Sequence, residues 1–180
     1  MAARSAFNAA SLKESTQARA GVLENEFKQL IGLNEKAKES ADKFLLSQTK
    51  VLQDYINLGN RLGEQGASLQ DLQNIYEGLN TVLVKNRATT QEAASATLQL
   101  SQALGAGKLQ GEEFRAINEA APQVITEVSK VLKVTRGEVK KLAADGKVSS
   151  EVLLQALTNL KTNGADPVSY THLRAHETRI

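Results

Sequence analysis

Residues 23–62 read LENEFKQLIGLNEKAKESADKFLLSQTKVLQDYINLGNRL. Steps of four and three residues alternate along this stretch. They visit Leu23, Phe27, Leu30, Asn34, Ala37, Ala41, Phe44, Gln48, Val51, Tyr55, Leu58 and Leu62. Nine of these twelve are plainly apolar, Tyr55 is amphipathic, and Asn34 and Gln48 are amides. A repeat averaging 3.5 residues is the pattern of a coiled-coil seam. Ile31, Leu45 and Leu52 lie beside the seam and widen it, which suits a bundle or a multi-strand assembly better than a two-strand zipper. The expectation is one long helical arm over residues 1–64, associating through this seam. Asn34 and Gln48 either fix register against amides of a partner or are simply tolerated there. Ala37 and Ala41 bury little area, so the arm is expected to lean on a partner.

Gly63 and Gly66 end the arm. Beyond them, residues 67–162 read as a helical domain. Ser68 is a candidate N-cap with Asp71 three residues on, and Thr89–Glu92 and Thr135–Glu138 are capping boxes. The face of Leu69, Leu72, Ile75, Tyr76, Leu79, Val82 and Leu83 keeps helical spacing. A second face, through Ala93, Ala96, Thr97, Leu100, Ala103 and Leu104, is made mostly of small residues suited to close packing. Gly146 is a candidate C-cap and Ser149 the N-cap of a last helix.

Between these helices stands GAGKLQGEEFRAINEAAP, Gly105 to Pro122. A phosphate-binding loop needs G-x-x-x-x-G-K followed by Ser or Thr, whereas Gly107-Lys108 is followed by Leu109 with no strand expected before it. Glu112 and Glu113 are the obvious acid/base candidates. Neighbours on a helix point about 100° apart, and acidic residues in a first turn are accounted for by the helix dipole. The favoured reading is a joint. Its glycines turn the chain, its glutamates open a helix, Leu109 and Phe114 enter the core, and Pro122 ends that helix or begins the next.

Composition agrees with an all-α fold. Hydrophobic residues make up 41% of 180, aromatics only 4%, and two prolines interrupt the chain. With no Cys, a disulfide scaffold and a thiolate metal site are excluded. No apolar run approaches the roughly 20 residues of a membrane-spanning helix. The N-terminal MAARSAFNAASLKES lacks the apolar centre of a secretion signal; it contains Arg and Ser and is poor in acid, as a transit peptide is, and an ordinary helix start explains it equally well. A net charge of +2 is too small to imply nucleic-acid binding, which wants Lys and Arg clustered on one face. A helix–turn–helix with Lys140, Lys141 and Lys147 nearby is the remaining DNA-binding alternative. Its would-be reading helix carries Glu151, Leu153 and Leu154 and no Arg.

After a short linker at 163–167 the composition changes. Val168 to Thr178, VSYTHLRAHET, matches the in-frame translation of a transposase-type sequencing adapter. Residues 168–180 are therefore read as an artefact tail, and the natural reading frame is expected to continue differently past Pro167. Both histidines, His172 and His176, lie in this tail, so their four-residue spacing is not taken as a metal site.

The residues from about Gln53 to Lys161 resemble the N-terminal region of bacteriophage tail tape measure proteins. The resemblance is carried by Gly107-Lys108-Leu109, by Gly111-Glu112-Glu113-Phe114 with Pro122, and by Asp145-Gly146-Lys147-Val148. It implies a long, mostly helical, multi-copy structural protein that lies inside the tail tube, sets its length and leaves ahead of the DNA. The implied partners are other copies, the tail tube, tail-end proteins and assembly chaperones. The implied location is the virion, after assembly in the bacterial cytoplasm. It implies no catalytic residue, no cofactor, no small-molecule substrate and no stable nucleic-acid binding. A helical adaptor of another system is the structural alternative. At about 1.5 Å per residue, even 167 straight helical residues reach only about 250 Å, so most of such a ruler would lie elsewhere.

Overall fold

The computed structural model describes residues 2–163, and the adapter-like tail with its two histidines lies outside the described residues. The expected all-α class is what the chain adopts. Nine helices are described: α1 (Ala2–Glu26), α2 (Leu33–Phe44), α3 (Gln48–Leu62), α4 (Leu69–Lys85), α5 (Thr90–Gly105), α6 (Gly111–Ala120), α7 (Pro122–Leu132), α8 (Arg136–Ala144) and α9 (Ser150–Asn163). Two two-residue strands join them, β1 (Lys108–Leu109) and β2 (Val148–Ser149), where no strand was expected. No helix among the described residues is long and apolar enough to cross a membrane.

The expected continuous arm is corrected: residues 23–62 form three helices, not one. The first break follows Glu26. Phe27 is extended, a single 3-10 turn spans Lys28–Leu30, and Gly32 takes a left-handed conformation with φ 94°. Glu24, still on α1, accepts hydrogen bonds at Oε1 from the backbone N–H groups of Gly32 (3.1 Å) and Leu33 (2.7 Å). A carboxylate at a helix N-terminus satisfies unpaired donors and opposes the dipole, so α1 itself starts α2. The second break is Leu45–Ser47, where Leu45 has φ 54°. Helices α2 and α3 then fold back on each other as a hairpin.

The seam is consequently used up inside its own chain. Leu23, Leu30, Phe44, Val51, Tyr55, Leu58 and Leu62 are all buried, and Phe27 is half-buried. Asn34 and Gln48 meet each other rather than a partner's amides: Gln48 Nε2 donates to Asn34 Oδ1 at 3.5 Å. The support expected from a partner comes from α4 and α5, which pack against α2 and α3. One core runs from Ala20 to Leu157 without dividing near residue 64, so the described residues show no separate arm. Along α1, residues 8–15 are exposed, and burial begins at Thr16, Ala20 and Leu23.

Local signals survive this rearrangement. Ser68–Asp71, Thr89–Glu92 and Thr135–Glu138 all form reciprocal capping boxes at the starts of α4, α5 and α8. Pro122 is the first residue of α7, where its missing N–H costs nothing.

Candidate functional site

Two places stand out, one built from residues that the sequence singles out and one from buried polar residues that it does not. The first is a clasp between the ends of α5 and α8. Gly107 and Gly146 follow these helices with φ 75° and 65°. After α8, the N–H of Gly146 donates to Ala143 O and that of Lys147 to Leu142 O, a Schellman ending. The two chains released in this way pair antiparallel, Lys108 opposite Ser149 and Leu109 opposite Val148. Ser150 N–H extends the ladder to Gly107 O at 2.9 Å. Leu109 and Val148 are both fully buried, while Lys108 and Lys147 reach solvent. Lys147 Nζ stands 3.3 Å from Asp145 Oδ2, an exposed pair worth little.

Thus the motif residues Gly107, Lys108 and Leu109 meet Asp145, Gly146 and Lys147 in space, although some 40 positions separate them in the chain. Gly111, Glu112 and Glu113 open α6, and Phe114 drops into the core at 9% exposure. Glu112 is exposed and Glu113 half-buried, as expected for a solvated first turn. Gly146→Ala is expected to cost about 1–2 kcal/mol, because an L side chain at this φ is strained and its Cβ would stand 3.1 Å from Gln110 Nε2. Chemical denaturation of the two proteins checks this.

The second place was not visible in the sequence. Glu77, on α4 and 3% exposed, gathers side chains from two other helices, and a third joins through Ser40. Ser40 of α2 donates to its Oε1 at 2.9 Å, as does Gln73 at 2.9 Å. Lys43 of α2 pairs with Oε2, and Lys161 of α9 stands 3.7 Å away. Tyr55 of α3 shares a 2.8 Å hydrogen bond with Ser40. Burial alone would raise the Glu77 carboxyl. The bonds from Lys43, Gln73 and Ser40, with the charge of Lys161, outweigh burial and hold it below the usual carboxylate range. Four helices are thereby tied at one charged centre. A signal existed only as isolated polar residues on otherwise apolar faces.

Neither place has the geometry of a reaction centre. Glu77 is saturated by its partners, and among the described residues no three His, Cys, Asp or Glu side chains stand together as metal ligands would. A cleft of about 450 Å³ lies open between α6 and α8. It is lined by Phe114, Arg115, Asn118, Arg136 and Lys140, with Arg115 paired to Glu119 and Arg136 to Asn118. The last helix, α9, is packed against α4 and α7, with Leu153, Ala156 and Leu157 fully buried.

No curated protein and no solved structure matches the chain. The tape measure protein family matches residues 4–169, beyond the motif-bearing stretch at both ends and across all the helices that replace the arm. With residues 4–169 of its 180 covered by that match, the chain belongs to the tape measure protein family of phage tail structural proteins.

Proposed function

We propose that the described residues form a folded end module of a tail-length ruler, acting through helix–helix association and carrying no reaction. Several copies would associate with one another and with tail-tube, tail-end or assembly chaperone proteins in the host cytoplasm, and the assembled copies would reside in the virion tail. The observation that carries this reading is the family match over residues 4–169. A core closed by apolar side chains, with shallow surface clefts, supports it. A rod serves as a ruler because helix length is proportional to residue number, whereas a globule of this kind serves as a stop or a docking piece. Deleting residues 1–163 in frame from the complete phage gene tests the reading. Loss of assembled tails in electron micrographs is expected, and tails of normal number and length would remove it.

A further inference from the structure

The turn between α2 and α3 opens on residues poorly suited to turning. Leu45 and Leu46 stand where Gly or Asn is usual, and only Ser47, at the N-cap position of α3, is a common turn residue. Leu45 occupies the left-handed position that ends α2, with its N–H on Asp42 O and that of Leu46 on Ala41 O. Only three non-glycine residues among those described have positive φ, and the other two, Arg87 and Lys133, are long polar side chains that reach water without penalty. Leu45 is 68% exposed and Leu46 38%. Leucine is among the best helix formers and strongly disfavours this φ. Moreover, the four–three spacing runs through the turn without slipping, from Ala41 and Phe44 to Gln48, Val51 and Tyr55. A hairpin places no such demand on phase, whereas a continuous helix does.

We propose that Leu45–Ser47 is a hinge for exchange between two copies of this chain. On straightening, α2 and α3 merge into one helix over 33–62, about 45 Å long. Residues 2–44 of each copy then pack on α3 and α4 of the other. Every contact of the hairpin is remade across chains: Ser40 and Lys43 to Glu77, Ser40 to Tyr55, and Asn34 to Gln48. Exchange of an identical element costs little because the interface already exists, and short strained hinges favour it. Straightening also relieves Leu45 and brings Leu45 and Leu46 of the two copies together where the long helices cross.

The inference deepens the multi-copy reading and rests on it. The chain has no Cys, so Asn34→Cys with Gln48→Cys in the full chain forms a clean reporter. Refolded at low and high concentration, oxidised and run on non-reducing gels, it should give an intrachain link when dilute and a covalent dimer when concentrated. Leu45→Gly, which eases the turn and weakens the straight helix, should reduce the dimer about tenfold or more. Changing Leu45, Leu46 and Ser47 all to Ala should increase it. Intrachain links alone at every concentration, in the native hinge and the alanine hinge alike, would overturn the exchange. If light scattering still found multimers in that case, the multi-copy reading would stand. A chain that stays monomeric throughout would sink both.

Discussion

Gly78→Ala should destabilise the protein by about 3 kcal/mol or more, the upper end of what overpacking costs. Helices α4 and α9 cross at this residue, so closely that a Cβ would stand 2.2 Å from the carbonyl oxygen of Leu157 and 2.8 Å from its carbon. Both atoms are backbone, so no side chain can turn aside to make room. The helices must separate, and Leu153, Ala156 and Leu157, all fully buried, lose their packing on α4. Separation also draws Lys161 away from Glu77 and Asn74. The same substitution at Gly21 is the control. That glycine lies inside α1 with nothing within 4 Å of the added methyl, so Gly21→Ala should stabilise by roughly 0.5–1 kcal/mol through helix propensity. Urea unfolding of the two variants beside the parent measures both effects. Equal stability of Gly78→Ala and parent would contradict the close crossing.

Glu77→Ala is the second large effect expected, about 3 kcal/mol. Removing one member of a buried charged cluster strands the others. Lys43 and Lys161 are partly exposed and recover some hydration, which keeps the cost near the lower end of the usual range. Glu77→Gln keeps the shape and should cost about 1–2 kcal/mol. The cluster also fixes a pH dependence. The Glu77 carboxyl titrates lower in the folded chain than its ordinary value near 4.5. Its contribution is therefore complete above about pH 4.5 and is lost as pH falls from there through the folded value. Asp54, whose burial pushes its carboxyl up against the opposing effect of Lys50, contributes in the opposite direction. The acid slope belonging to Glu77 is thus the part that vanishes in Glu77→Gln. Identical acid unfolding of parent and Glu77→Gln would show that the carboxylate is not held as described.

These two residues also mark what the sequence could and could not tell. Chemistry confined to four consecutive residues was legible: Ser68 with Asp71, Thr89 with Glu92, and Thr135 with Glu138 cap their helices as expected. The buried faces were legible too, since helical spacing is the same whichever neighbour covers them. Where the arm turns was not. The heptad phase passes through Leu45–Ser47 unbroken, and Ser47, at the N-cap position of α3, is the one local sign of a break there. The turn exists because α2 gains the surface of α4, a tertiary gain that overrides propensity. Glu24 capping α2 from eight residues away, Ser40 reaching Glu77, and β1 meeting β2 are likewise contacts that no short window contains. Gly78 looks in the sequence like any glycine tolerated within a helix. Only the path of α9 gives it its role. Of the clasp, the motif residues stood out one segment at a time, and their pairing did not.

Small-angle X-ray scattering of the monomer fraction, eluted at low concentration, is the most direct test of the folded-back chain. A chain of this length packed around one core has a radius of gyration of about 16 Å, rising to roughly 20 Å with the exposed start of α1. A value in that range is the expected result. If residues 2–62 instead ran as one helix, about 90 Å long, the radius would exceed about 25 Å with a rod-like distance distribution, and the fold described here would be wrong.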